Sequence, residues 1–203
     1  MAIKGLSIPI CAKYNHGGSG KVTYSEPFVA DSAVEYSFEA ETSEDNDFYA
    51  DNRVKETAAG IFNSGSLTLQ TGDLMPELSE KILGLKHVTR TIGETTVEEI
   101  VYDEDMNSPY LGFGIIEEHQ NDGITEYLPI VFPKVKFNIP NGAATTRTNE
   151  IDWQTKEITA RVLRSDQVDD MYNHPWQISP KTPYGTEVDA KAYIMHVLGE
   201  TTA

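Results

Sequence analysis

The sequence predicts a mainly β protein with one or two short α-helices and long loops. Period-two alternation of apolar and polar residues recurs along the chain, which is typical of strands with one buried face. A strong hairpin signal lies near the middle, and only two segments have the spacing of a helix. The 203 residues suffice for one domain with a buried core. We expect a single domain over 1–203, allowing for a flexible N-terminal arm over 1–30 and a C-terminal extension over 166–203.

Alternation is clearest in residues 32–39, where Val34, Tyr36 and Phe38 share one face. Small and polar residues take the other face, so this stretch predicts a half-buried strand. The stretch 66–70 repeats the pattern in brief.

Alternation continues near the C-terminus, where the apolar positions change parity. Ile151 and Trp153 are odd, whereas Ile158, Ala160 and Val162 are even. Two strands, or one strand with a bulge, would account for the change of face.

The hairpin signal joins two arms over 110–119 and 124–132 through the Asn-Asp-Gly sequence at 121–123. These three residues tolerate positive φ, as tight hairpin turns require. Pro129 and Pro133 cannot donate ladder hydrogen bonds, so they predict an edge position or a break in the second arm.

Two segments predict helices. In the first, over 74–84, Asp73 can act as N-cap, Pro76 suits the first turn, and apolar residues lie four apart. The second spans 187–198 and ends at Gly199, although its small apolar residues also fit a strand.

Two stretches predict long loops. Residues 42–56 are rich in acids and carry Phe48 and Tyr49, and residues 140–149 are rich in Gly, Ala and Thr. Unstructured loops of this length are usually functional or mobile. In an assembling protein, they would be arms that become ordered on a neighbour.

The charge balance limits the partners that the chain can bind. With 32 acidic and 16 basic residues, the net charge is −16. Nucleic-acid binding and anionic membrane surfaces both need basic patches, so this balance argues against them. It is compatible with simple solubility and with a protein that lets DNA pass without adhering to it. No apolar run is long enough for a membrane helix, and no signal peptide is recognisable at the N-terminus.

Motifs for chemistry are incomplete. Residues 17–21, Gly-Gly-Ser-Gly-Lys, resemble the end of a phosphate-binding loop, but Asn15 and Val22 stand where Gly and Ser or Thr are required. The acidic run 103–107 has the oxygen spacing that opens a calcium loop, but the closing glycine and glutamate are missing. Turns are the better interpretation of both, and the acidic run 44–47 is best read as a solvated loop.

Cysteine and histidine offer no catalytic set. Cys11 is the only cysteine, which excludes an internal disulfide, and its apolar neighbours favour a small buried side chain over a nucleophile. His196 and Glu200 lie four apart, but a third metal ligand is not apparent. We therefore expect no enzyme, no cofactor and no metal site.

Four stretches, taken together in their order and spacing, resemble a known family over most of the chain from Tyr36 to Val162. They are residues 48–53 with the strand entry 60–69, the helix 74–84, residues 108–115 through the hairpin to 132–137, and residues 151–155 with the strand that follows. The family is the major tail proteins, or tail tube subunits, of phages with long, flexible, non-contractile tails. These phages mostly infect Gram-positive bacteria.

The resemblance implies a β-sandwich of the tail-tube type, flanked by a helix. Six subunits would form a ring, pooling strands into an inner β-barrel, and rings would stack into a tube. The implied partners are further copies of the chain, the tape-measure protein, and the terminal and distal proteins of the tail. DNA would pass through without specific binding during genome ejection. The protein would reside in the virion tail after assembly in the host cytoplasm, with no catalysis, cofactor or membrane.

The resemblance also suggests two sites for contacts between copies. The loop 42–56 would be the inter-ring loop, because it is long, polar and tipped with two aromatic residues. Its predicted contact residues are Asp45, Asp47, Phe48, Tyr49, Asp51 and Arg53. The hairpin 110–132 would supply inner-barrel strands, with glycines that allow close backbone approach. Its predicted residues are Tyr110, Gly112, Phe113, Gly114 and Ile115.

Two alternatives remain open. One is a β-sandwich binding module that acts alone on carbohydrate or protein, which should be monomeric and have an aromatic-lined groove. The other is a different ring-forming component of the tail, such as the terminator at its head end.

Overall fold

The computed structural model describes residues 2–18, 20–30, 33–72, 76–142 and 155–199, with the side chains of residues 76 and 77 left aside. These residues form eleven strands and two helices. The elements are β1 (Ala2–His16), β2 (Val22–Val29), β3 (Ala33–Thr42), β4 (Asn46–Ala50), β5 (Arg53–Ala58), β6 (Phe62–Thr71), α1 (Pro76–Leu83), β7 (Lys86–Ile92), β8 (Thr95–Val101), β9 (Leu111–Asn121), β10 (Ile124–Phe137), β11 (Lys156–Val162) and α2 (Glu187–Val197).

Seven strands form one antiparallel sheet in the order β2-β1-β9-β10-β11-β6-β3. The other four strands form two separate hairpins, β4–β5 and β7–β8. The prediction of a mainly β fold with two short helices is confirmed.

The sheet folds over on itself, so that its two ends enclose the main core. The hydroxyl of Tyr36 on β3 donates to the carboxylate of Glu117 on β9, although four places separate these strands in the sheet order. Large apolar side chains from both ends fill the space between them because alternate positions of each strand face inward. The core includes Leu67, Leu69, Phe113, Ile115, Phe132, Phe137 and Ile158.

A second apolar cluster lies on the other face of the sheet, beneath α2. Thr186 caps the helix by accepting a hydrogen bond from the backbone N–H of Asp189, which satisfies a donor of the first turn. The cluster comprises Ile10, Ala12, Ile116, Val131, Ala190, Ile194 and Leu198, all fully buried. Helix α2 therefore covers the β1, β9 and β10 part of the sheet, as its buried face requires.

The central hairpin agrees with the prediction. Strands β9 and β10 are joined at a two-residue turn in which Asp122 and Gly123 have φ of 47° and 83°. Both φ values are positive, as the mirror-image hairpin turns demand.

The two prolines of β10 have different consequences. The strand lies between β9 and β11, so an edge position for the whole strand is wrong. At Pro133 the predicted break is confirmed, because the register with β9 shifts between Phe132 and Val135. Strand β11 pairs only with 135–137, which leaves one side of the first half of β10 without a strand.

The C-terminal segment covers that open side. Backbone groups of Tyr127 and Val131 form bridges with Tyr184 and Ile178. Pro129 lies between the two bridged residues, so its missing N–H faces this irregular segment and not the β9 ladder. The residues that the sequence allowed as a C-terminal extension thus pack back onto the sheet as far as residue 199.

Within 1–30, for which the sequence allowed a flexible arm, residues 2–16 and 22–29 form β1 and β2. Strand β1 pairs with both β2 and β9, and Ile10, Cys11 and Ala12 are fully buried. A bulge between Ser7 and Ile10 changes the face that β1 buries, so this strand lacks a regular alternation.

The predicted buried faces are mostly confirmed. Tyr36 and Phe38 pack against the main core, and Ile158, Ala160 and Val162 on β11 are buried. Val34 is 54% exposed because the register shifts between Ala33 and Glu35 at the start of β3. The predicted cap Asp73 and the predicted strand residues at 151 and 153 lie outside the described residues.

The structure differs from the prediction at the first of the two predicted loops and describes only part of the second. Residues 46–58 form the hairpin β4–β5, so the stretch 42–56 is not a structureless loop. Its turn, Asp51 and Asn52, has φ of 53° and 61°, and these residue types tolerate positive φ. Of the second loop, 140–142 form no helix or strand, and 143–149 lie outside the described residues.

A polar clasp fastens the C-terminal segment to the sheet. The carboxylate of Asp166 lies 2.5 Å from the ammonium of Lys134 and accepts a 2.8 Å hydrogen bond from the hydroxyl of Tyr14. The backbone N–H of Asp166 donates in turn to the Tyr14 oxygen. The hydrogen bond from Lys134 is the largest of the effects that hold the pKa of Asp166 below its usual value.

The clasp predicts a pH dependence of stability. Because the pKa of Asp166 is lower in the folded state, its contribution is complete above about pH 4 and is lost as the pH falls through the folded pKa. Asp166→Asn should therefore flatten the acid limb of the unfolding free energy against pH, measured by urea denaturation. Asp170→Asn, at an exposed neighbouring position, is the control. An unchanged acid limb in Asp166→Asn would contradict the assignment.

Candidate assembly surfaces

The hairpin β4–β5 is exposed along almost its whole length. Phe48 and Tyr49 are 61% and 64% exposed, and Val54, directly opposite Tyr49, is also exposed. Paired residues share a face of a hairpin, and neighbours along a strand alternate. Tyr49 and Val54 therefore form an apolar spot on one face, while Phe48 points to the other.

Local hydrogen bonds fix the base of this hairpin. Asp47 accepts a 2.6 Å hydrogen bond from the Thr57 hydroxyl across the strands, and Asp45 accepts one of 2.7 Å from the Gly60 N–H. The structure thus brings together the six residues predicted for the inter-ring loop. Asp45 and Asp47 lie at the base, Phe48 and Tyr49 in the middle, and Asp51 and Arg53 at the tip.

The sequence interpretation missed the second exposed hairpin, β7–β8. Its turn is Gly93-Glu94, with Gly93 at φ 64°. Two runs rich in β-branched residues flank this Gly-Glu pair, which is a recognised hairpin signal. Charged residues interrupt the alternation of these two runs, which weakens the hairpin signal.

One face of β7–β8 combines apolar and charged side chains. According to the strand register, it carries the apolar residues Val88, Ile92, Val97 and Val101 together with Lys86, Arg90, Thr95 and Glu99. Ile92 and Val97 are exposed, and Val88 and Val101 are partly buried. This face of the hairpin is therefore largely uncovered.

Four of the five residues predicted for an inner barrel, Gly112, Phe113, Gly114 and Ile115, are buried within the subunit. A Cβ on Gly112 would come within 2.5 Å of Leu198 Cδ2, and one on Gly114 within 2.3 Å of Ile194 Cγ2. The glycines thus permit close approach, as expected, but the approaching element is the chain's own helix α2. On the opposite face, Phe113 and Ile115 are fully buried in the main core.

Tyr110 differs from the four residues that follow it. It is 40% exposed at the entrance to β9, and the ammonium groups of Lys134 and Lys136 lie 4.7 and 5.5 Å from its ring centroid. Both faces of β9 at 111–115 are covered by this chain. A lumen-lining role for this stretch stays a prediction, and the open length of the hairpin lies nearer its turn, at 120–125.

A buried polar group links the two ends of the sheet. Glu117 accepts from the Tyr36 hydroxyl through one oxygen, and its other oxygen lies 2.9 Å from His119 Nε2. Glu117 and His119 are only 8% and 9% exposed. Burial is the main cause that raises the pKa of Tyr36, and the Glu117 carboxylate raises it further. The hydroxyl therefore keeps its proton and donates the hydrogen bond. The group satisfies its own polar atoms, so it serves chiefly to hold β3 against β9.

The chemical motifs noted in the sequence do not form reactive sites in the described residues. Burial raises the pKa of the Cys11 thiol far above its ordinary value, so the nucleophilic thiolate is disfavoured. The Gly17 N–H donates to the Lys21 carbonyl between β1 and β2, and a strand follows Lys21 where a phosphate loop needs a helix. Across the described ranges, no three His, Cys, Asp or Glu side chains converge as metal ligands would.

A cleft of about 470 Å³ lies between β2, the C-terminal segment and α2. Aromatic and apolar side chains provide most of its wall. They include Tyr24, Tyr172, Met171, Ile178 and Val197, with His196 at one side. The cleft is the aromatic-lined feature that a binding module would require.

Comparison with known proteins adds no relative. No protein-family model matches the chain, and the search of curated proteins found no match. Neither described helix is long and apolar enough to cross a membrane.

Proposed function

We propose that the chain is a structural subunit that assembles with copies of itself into the tail tube of a long, non-contractile phage tail. Hexameric rings would stack into the conduit for the genome, around the tape-measure protein during assembly and between the terminal and distal tail proteins. The proposed location is the virion tail, after assembly in the host cytoplasm. The order and spacing of the four sequence stretches support this proposal.

The observation that carries the proposal is a pair of long hairpins whose apolar residues are left uncovered. A two-stranded hairpin is marginally stable in water unless it packs against another surface. Burying one large apolar side chain stabilises a contact by about 1.5–3 kcal/mol before the cost of ordering is subtracted. Phe48, Tyr49 and Ile92 are each more than half exposed, so contacts with other copies would stabilise both hairpins.

The edges of the sheet give a second argument. Strands β2 and β3 are the two edges, and both are long enough to pair with a further strand. Exposed edges invite uncontrolled association, and closure of several copies into a common barrel removes them. Ring formation would therefore satisfy backbone groups that a solitary subunit leaves to water.

The charge supports the passage of DNA. At −16 per chain, six copies carry −96 (6 × −16) in a ring. Like-charge repulsion would keep the phosphate backbone from adhering to the tube wall.

The proposal predicts hollow rings or tubes in negative-stain electron microscopy of the purified chain, across a concentration series with light scattering alongside. Replacing both Phe48 and Tyr49 with serine should leave the subunit folded and abolish polymerisation, because the hairpin loses its apolar contacts. The matched control is Val188→Ser, which also removes an exposed apolar side chain but lies on α2, away from both exposed hairpins. Normal tubes from the Phe48–Tyr49 variant would refute the role of β4–β5.

A stand-alone binding module is the second candidate, favoured by the cleft beside Tyr24 and Tyr172. This function predicts a monomer at every concentration and saturable binding of a glycan or peptide that Tyr172→Ala abolishes. Tubes that form normally with Tyr172→Ala would leave the cleft without a part in assembly.

A further inference from the structure

The two exposed hairpins each have one strand with charges of a single sign. Residues 44–51, which contain β4, carry four carboxylates and no lysine or arginine. Strand β7 carries Lys86, His87 and Arg90 and no carboxylate. The chain has twice as many acidic as basic residues. The basic strand β7 is therefore electrostatically complementary to the acidic strand β4 in a way that few other pairings could be.

The backbone edges of these strands are open. Strand β4 continues from β3, which is an edge of the seven-stranded sheet, whereas β5 leads into β6, which is paired on both sides. Among the described strands, β7 is paired only with β8. Every residue of β4 except Ala50, and every residue of β7 except Val88, is exposed. Both edges can therefore accept an added strand.

The present partners of the basic side chains are weak. Arg90 lies 3.2 Å from Glu99 and Lys86 lies 3.8 Å from Asp103, and both basic side chains are more than half exposed. Exposed ion pairs of this kind contribute about 0–1 kcal/mol, so the bases can exchange partners at little cost. Arg90 also lies on the same face of its hairpin as Val88 and Ile92, where a guanidinium can stack on an approaching aromatic ring.

We propose that β4 of one copy binds as an added strand along β7 of a second copy. Asp47 and the ring of Tyr49, on one face of β4, would lie beside Arg90 and the apolar residues of β7, whereas Phe48 would lie on the opposite face of the joined strands. The interface is heterologous, so each copy uses its β4 toward one neighbour and its β7 toward another, which propagates an assembly. The inference rests on the proposed self-assembly and adds the surface that receives the β4–β5 hairpin.

Charge reversal tests the pairing. Asp47→Lys and Arg90→Glu should each raise the concentration for half-assembly, measured by light scattering, by about tenfold or more, since like charges would then oppose each other. The double variant carrying both changes should recover most of the assembly. An equimolar mixture of the two single variants should also assemble, because each carries the complement of the other.

The control pair reverses charges on the other two edges. Lys55→Glu on β5 and Glu98→Lys on β8 alter equally exposed hairpin positions. They should leave the half-assembly concentration within about twofold of the parent, as surface substitutions away from an interface do. Circular dichroism and thermal melting would verify that every variant is folded.

The outcomes separate this inference from the proposed function. Tubes from all four single variants would support self-assembly and overturn the β4–β7 pairing. Loss of assembly in the Lys55 and Glu98 variants, with normal Asp47 and Arg90 variants, would overturn it in favour of the opposite edges. A parent chain that forms no assembly at any concentration, alone or with tail partners, would reject the proposed function first.

Discussion

Replacing Phe132 with alanine is expected to lower the free energy of unfolding by about 3–5 kcal/mol. The side chain is 1% exposed, and its ring centroid lies 4.9 Å from that of Phe38 and 6.4 Å from that of Phe113. It therefore joins β10 and β9 to the far edge strand β3. Truncation would leave a cavity between the two ends of the folded sheet, where neither end can move in freely.

Urea denaturation followed by circular dichroism measures this loss. Phe48→Ala is the matched control, because it removes the same side chain from an exposed hairpin and should change stability by about 0.5 kcal/mol or less in a dilute monomer. A loss below about 1 kcal/mol for Phe132→Ala would mean that the two ends of the sheet do not share one core.

The part of the fold that the sequence predicts is the part where strands keep a strict period of two. Leu67 and Leu69 in β6 are buried as their alternation indicates, and so are Ile158, Ala160 and Val162 in β11. The central hairpin was predictable because the Asn-Asp-Gly turn and the alternating arms agree with each other. Here local propensity and tertiary packing favour the same structure.

The sequence failed where bulges or tertiary contacts set the pattern. A bulge in β1 changes its buried face, so no single alternating pattern marks this strand. The hairpin β7–β8 buries little, and no core stripe marks it. An exposed, acidic strand such as β4 has the composition of a loop, although Asp51 and Asn52 form a favourable hairpin turn.

The candidate surfaces were half predictable. Two aromatic residues within a long acidic stretch predicted Phe48 and Tyr49 as contact residues. Their proposed partner surface on β7 depends on which strand edges remain unpaired, which the sequence does not record. The group of Tyr36, Glu117 and His119 could not be predicted at all. Its members come together only because the sheet folds over, and no spacing along the chain records that contact.

Replacing Gly114 with alanine is expected to destabilise the chain by about 1–3 kcal/mol, although alanine is no worse than glycine in a strand. A Cβ there would lie 2.3 Å from Ile194 Cγ2, a distance that real contacts do not tolerate. Helix α2 must therefore shift away from β9, which weakens the second apolar cluster. Gly185→Ala, where a new Cβ meets nothing within 4 Å, is the control.

The cause can be isolated by making room on the helix. Ile194→Ala alone should cost about 2–5 kcal/mol, since the side chain is fully buried. Combined with Gly114→Ala, the loss should be smaller than the sum of the two single losses, because the added methyl group partly fills the space left by isoleucine. Limited proteolysis of the C-terminal segment would report displacement of α2 directly. Strict additivity, or a Gly114→Ala variant as stable as Gly185→Ala, would show that α2 does not rest on this glycine.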